Sequence, residues 1–175
     1  LSYSPEGNHI LFFHLWRGHG NRYSRMFVIN SDGTDLKLLS MHRSSHVWWI
    51  TDEEVLAFTI DESGEGRYRC FTVGESDFTL VGDENLNADG HPMLSPNGRT
   101  LVLDSYPDIM SERSLSLLDL KSGLETKLGV FYSPPLLSGE RRCDLHPRWD
   151  RRGMSVAVDS AHKGKRGLYI LDLSL

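Results

Sequence analysis

Three histidines carry the most useful chemistry in this chain. His46, His91 and His146 recur at intervals of 45 and 55 residues, and Cys143 stands three residues before the last of them, in Cys-Asp-Leu-His. Imidazole nitrogens and a thiolate are ligands that a tetrahedral zinc takes, and that spacing suits two ligands of one ion. His46, His91, Cys143 and His146 are therefore read as a metal site, with Asp89 as a substitute ligand. Such donors favour zinc over magnesium or calcium, and a site with only three ligands would leave a position open for a substrate carboxylate. The competing reading gives each histidine an equivalent hydrogen bond between successive structural units.

A second constellation lies in the segment from His14 to Arg25, which holds two histidines, three arginines, a tryptophan and a tyrosine. These types suit an acidic sugar: an arginine for its carboxylate, an aromatic ring for stacking, a histidine or tyrosine for proton transfer. A flexible charged loop with Trp16 covering a strand edge fits the same composition. Tyr106, in Asp-Ser-Tyr-Pro-Asp, and His162 with Arg166 are expected to face the same cleft. Tyr106 packed beneath its proline is the alternative. Trp48 and Trp49 are read as core and rim packing, and Cys70 as a small buried apolar residue.

The elements that must position these residues come from a repeat. Tyr3 to Phe13, Leu94 to Asp104 and Trp149 to Asp159 align without gaps, and Trp49 to Ile60 is a degenerate copy without its proline and glycine. Each copy sets an apolar or aromatic residue before a tight turn and a β-branched, aromatic run after it, the pattern of two antiparallel strands. Third strands are expected at Met26 to Asn30, Tyr68 to Val73, Leu115 to Leu120 and Leu168 to Leu173, and fourth strands at Leu36 to Leu39 and Glu125 to Val130. No capped amphipathic run reads as a helix. The fold class is all-β. Four-stranded repeats of roughly 40 to 50 residues define β-propeller blades, here at 1–41, 42–84, 85–138 and 139–175. Propeller geometry then collects His46, Asp89, His91, Cys143, Asp144 and His146 on one face, with the loops 14–25, 61–67, 104–113 and 159–166.

Composition bounds the rest. A net charge of −5 over 175 residues, 39% of them hydrophobic, argues against nucleic acid. No apolar stretch reaches the length of a membrane-spanning helix. Leu1 falls inside what aligns as a first strand, so the sequence reads as a piece of a propeller whose N-terminal blades, with any signal peptide, precede it, and whose C-terminus is native. Its exposed strand edges are expected to pair with those blades or to self-associate.

The Ser-Pro-x-Gly turns followed by apolar strands resemble the TolB-like propeller repeat over the whole chain. More narrowly, Ser-His46, Asp-Gly-His91-Pro, Asp104-Ser-Tyr-Pro-Asp108, Arg-Cys143-Asp-Leu-His146-Pro-Arg-Trp and Asp159-Ser-x-His162 resemble the C-terminal half of bacterial propeller polysaccharide lyases, the oligogalacturonate and ulvan lyases. The resemblance implies a seven-bladed propeller, periplasmic or secreted, that cleaves a uronate-containing polysaccharide or oligosaccharide by β-elimination with a histidine-held metal near its channel. Zinc leads, with manganese or calcium as alternatives. On that reading His14 is the base, Arg25 the carboxylate partner and Tyr106 the acid, while Trp16, Arg22, His162 and Arg166 contact substrate. The rival reading is a non-catalytic TolB-like propeller that binds a protein or glycan.

Overall fold

The computed structural model describes residues 1–83 and 86–173. They form four antiparallel sheets in chain order. The first holds β1 (Ser2–Tyr3), β2 (His9–Gly18), β3 (Asn21–Asn30) and β4 (Lys37–Ser40), and the second β5 (Arg43–Trp49), β6 (Glu54–Ile60), β7 (Gly66–Thr72) and β8 (Phe78–Val81). The third holds β9 (Met93–Leu94), β10 (Thr100–Asp104), β11 (Glu112–Asp119) and β12 (Glu125–Tyr132), and the fourth β13 (Arg148–Trp149), β14 (Ser155–Ser160) and β15 (Gly167–Asp172). Neighbouring strands in each sheet follow one another in sequence, as in a blade. The only helical turn among the described residues is a 3₁₀ turn at Gly139–Arg141. The expected blade limit at Glu84 and the expected end at Leu175 lie outside the described residues.

Alternation sets the packing. In β14, Val156 and Val158 are fully buried while Ala157 and Asp159 between them are not, the period of two that one buried sheet face imposes. The chain divides into two compact units, Leu1–Val81 and Gly82–Leu175. In the first, Leu11, Met26 and Val28 of the first sheet meet Trp49, Val55, Ala57 and Phe71 of the second. In the second, Val102 and Leu115 of the third sheet meet Val156 and Val158 of the fourth, with Leu145 wedged among them. Each such side chain contributes about 1.5–3 kcal/mol relative to its exposure.

The turns explain how a degenerate copy still folds. Where two of the other copies use proline and glycine and the third glycine alone, the 50–53 turn uses Thr51, whose hydroxyl accepts the backbone N–H groups of Glu53 and Glu54 at 3.2 and 3.0 Å. A threonine can cap a turn in this way without a special backbone.

One expectation changes. The segment 14–25 is no loop: β2 and β3 pair continuously from His9↔Asn30 to Gly18↔Asn21. Only His19 and Gly20 turn, both with positive φ, 49° and 81°. A two-residue turn with both central residues left-handed matches strand twist, and His-Gly does here what Asn-Gly does more often. The fourth sheet has three strands among the described residues, the last of them at the expected third-strand position.

Candidate functional site

The second unit builds a compact polar site. Leu145 is 1% exposed in the core, so the residues on either side of it, Asp144 and His146, turn back the other way. His146 holds a left-handed backbone, φ 41°, a conformation a non-glycine residue keeps only when its surroundings fix it. Across from it stands His91. The two imidazole rings lie 4.0 Å apart at their centroids, and one ligand atom from each of His91, Asp144 and His146 lies within 4.8 Å of the others.

Asp104, the last residue of β10, organises this group. Its carboxylate is 1% exposed and accepts the backbone N–H of His91 at 2.6 Å and that of His146 at 3.1 Å. It also faces His91 Nδ1 at 3.0 and 3.1 Å. A carboxylate on Nδ1 favours the tautomer with that nitrogen protonated and the lone pair on Nε2, the usual support behind a metal-binding histidine. Gly90 makes the approach possible. A Cβ there would lie 1.7 Å from the Asp104 carbonyl oxygen, so no other residue fits without moving the backbone.

Asp144 is wired from the other side. Arg113, 1% exposed, meets it at 2.6 Å, and Arg142 Nε donates to both of its oxygens at 2.7 and 2.8 Å. Burial alone would raise the Asp144 pKa, but the Arg142 hydrogen bonds and the charges of both arginines overcome it and hold the carboxyl below its ordinary range. Burial lowers His146, and the neighbouring His91 pushes the same way, so the ring stays neutral as a ligand must. Tyr106 lies beneath the Arg142 guanidinium, 4.8 Å from its ring centroid, with its ring 6.4 Å from that of His91. Burial raises its phenol above the ordinary range, against the Arg142 charge.

Of the residues expected as ligands, the structure brings His91 and His146 together with Asp144. Cys143 lines a pocket of about 410 Å³ with Arg142, Asp144, His146 and Arg166, but it is not in the three-residue cluster. Burial raises its thiol above the ordinary range. Asp89 is likewise outside the cluster; its backbone carbonyl accepts the Tyr106 N–H at 3.3 Å. His46 lies in the first unit, at the bulge of β5 where the register shifts between Ser44 and Val47. Asp144 and His146 flank the buried Leu145, whose burial in the core is what turns both toward His91.

Among the substrate contacts expected, Arg166 donates to the backbone carbonyls of Arg141 and, at 3.1 Å, Arg142, tying down the segment before Asp144. His162 sits between the rings of Phe131 and Tyr169, with its Nδ1 2.9 Å from the Ser160 hydroxyl.

The first unit presents the hairpin β2–β3. His14 pairs with Arg25 and Trp16 with Tyr23. On that face His14 stacks on Trp16 at 5.0 Å, Trp16 on Tyr23 at 5.2 Å, and the Arg25 guanidinium lies 4.9 Å from the Trp16 ring. Arg22, two residues out of phase with none of these but one removed from Tyr23, points to the opposite face with Arg17. In β7, burial first and the Glu54 charge second raise the Cys70 thiol to about 11, which fits the small apolar role expected of it.

Four consecutive antiparallel sheets, each built of strands that follow one another in sequence, are the blades of a β-propeller. No protein-family model matches the sequence, and no curated protein matches it. TolB from Acinetobacter baumannii has a similar structure, with a TM-score of 0.73 at 14% identity over 98% of this chain and 39% of that one. An oligogalacturonate lyase in complex with manganese gives 0.73 at 19% identity, over 95% of this chain and 45% of that one. A putative TolB from Agrobacterium tumefaciens gives 0.62 at 15% identity, over 99% and 58%. The chain thus has the fold of TolB-like propellers and propeller lyases, as its turns led one to expect, and spans well under two thirds of each of these neighbours. Fold at such identities does not carry activity.

Proposed function

We propose that this chain supplies part of the active face of a carbon–oxygen lyase that cleaves a uronate-containing polysaccharide or oligosaccharide by β-elimination. The observation that carries this reading is the His91–Asp104 pair beside His146 and Asp144. Two imidazoles and a carboxylate suit a divalent transition metal, manganese or zinc, better than calcium. Asp104 favours the His91 tautomer with its lone pair on Nε2, burial keeps His146 neutral, and the arginines keep Asp144 ionised. A carboxylate has about four lone-pair sites, so its arginine contacts leave room for a cation. Cys143 stands outside the three-residue cluster, and Asp144 takes its place in this reading.

A cation bound there would neutralise the uronate carboxylate and so make the carbon beside it more acidic. The remaining steps fall to side chains. A base takes the proton on that carbon, the carbon–oxygen bond on the next carbon breaks, a carbon–carbon double bond forms between them, and Tyr106 protonates the departing oxygen. A phenol held above its ordinary pKa keeps the proton it must donate. Arg166 offers a further charge to the substrate carboxylate. The manganese in the lyase neighbour supports the metal, and a periplasmic or secreted location fits the polymer substrate.

The equal TM-score to TolB favours a second reading, a non-catalytic propeller that binds a protein or glycan. Elemental analysis separates the two, followed by ultraviolet detection of unsaturated products from uronate polymers. The lyase reading expects stoichiometric metal that is lost in His91→Ala and His146→Ala and kept in Cys143→Ser. A metal-free wild type that yields no unsaturated product would leave the binding module.

A further inference from the structure

The turn leading into β2 and the turn leading into β6 meet within the first unit, and both depart from the repeat at that point. His9 opens β2, where the matching strands β10 and β14 open with Thr100 and Ser155. The 50–53 turn carries Asp52 and Glu53, whereas the turns before β2 and β10 read Ser-Pro-x-Gly. At the corresponding junction of the second unit, a Cβ on Gly153 would stand 3.4 Å from the Pro96 ring. No group of metal-ligating side chains forms there among the described residues.

One nitrogen of His9 and one oxygen from each of Asp52 and Glu53 lie within 4.8 Å of one another. His9 is held in place: it is 9% exposed, and its ring stacks 6.3 Å from that of Trp49. Its Nδ1 lies 3.1 Å from the Asp52 carbonyl oxygen and 3.7 Å from Asp52 Oδ2, so the carbonyl is a fourth donor within reach. Atoms that bind one ion at about 2.1 Å stand roughly 3–4 Å apart, the spacing this pair already has. A cation there takes the place of the proton that Nδ1 shares with the carbonyl. The Asp52 carboxylate is fixed in turn. It accepts the Glu6 N–H at 3.0 Å and the Asn8 side-chain amide at 2.8 Å, which use two of its roughly four lone-pair sites. Glu53 is exposed, and its carboxylate joins none of the hydrogen bonds or ion pairs formed among the described residues. An imidazole with carboxylate and carbonyl oxygens suits zinc or manganese better than magnesium, which gives up its waters reluctantly.

We infer that His9, Asp52 and Glu53 form a second divalent-cation site, which clamps the first two sheets together at their turns. It belongs to the other unit from the His91 cluster and stands whether or not the chain is a lyase. With one exposed ligand it exchanges its ion, so it is read with added metal and not in the protein as purified. Equilibrium dialysis against zinc, on protein carrying His91→Ala and His146→Ala, tests it. One zinc ion binds per chain and raises the melting temperature, and magnesium does not displace it. Glu53→Gln in that background weakens binding at least about tenfold and abolishes the rise. Because Glu53 is exposed, this variant keeps the fold, and it carries the test where His9→Gln, which loses the same ion, disturbs packing. Wild type and Glu53→Gln alone differ by that one ion. Wild type binds a further ion where the His91 cluster also holds metal, so the two sites fail separately. No zinc in the His91→Ala, His146→Ala protein, zinc held equally after Glu53→Gln, or equal binding of magnesium would overturn the assignment.

Discussion

The hairpin β2–β3 and the cluster around Asp104 are both rich in charge, yet they are built on opposite plans. Around Asp104 every charge has a partner: Arg113 and Arg142 answer Asp144, and Asp104 answers His91. On the hairpin, Arg17 and Arg22 face each other across the strands without a counter-charge. A satisfied network is costly to break and fixes geometry to fractions of an ångström. Unsatisfied surface charge costs little in water and stays available to a ligand. The difference teaches that stability should report on the second unit and binding on the first.

The largest effect follows from breaking the network. Arg113→Ala leaves Asp144 buried against one arginine, and the stability of the protein should fall by about 3–5 kcal/mol, read by chemical denaturation. The sign with pH follows from the depressed Asp144 pKa: the contribution is present above the ordinary carboxylate range and is lost as pH falls through the folded value. In Arg113→Ala that acid-side decline flattens. An unchanged denaturation midpoint would show that the pair is not a structural tie.

A smaller change separates geometry from charge. Asp104→Asn keeps the shape but removes the anion behind His91, and metal affinity, measured by competition with a chelator, should drop about 10–100-fold while the sheets remain folded. Unaltered affinity would remove Asp104 from the site. Smallest of all is the hairpin tip. His19→Asn favours the left-handed turn, and melting should rise by the equivalent of about 0.5 kcal/mol with metal content untouched. A lower melting temperature would mean that the tip is held by contacts to the imidazole.

How much of this was legible in the sequence depends on the range over which each feature is decided. The blades were, because Ser-Pro-x-Gly and the alternating strands after it are settled within about ten residues. The strand ends moved most where an unusual turn residue, His19, hid a two-residue hairpin behind a charged composition, and by three residues or fewer in the third strands of the other sheets. His91 and His146 were legible as a pair because each sits at the same point of its repeat. Asp144 was placed on the same face and Asp104 within a motif, but neither was given a role, since their importance lies in partners 13 and 42 residues from Asp104 and in an arginine on another strand. Gly90 looks ordinary in sequence, and only the Asp104 carbonyl against it makes it obligatory.

One side chain ties two sheets. Asp104 ends β10 in the third sheet and receives backbone N–H groups both from His91, just before β9, and from His146, just before the fourth sheet begins. The cluster therefore cannot exist in a half-folded unit: until both sheets have docked, its imidazoles have no common point of attachment. A cation held there would act as a quality mark, captured last in assembly and released first when the junction loosens.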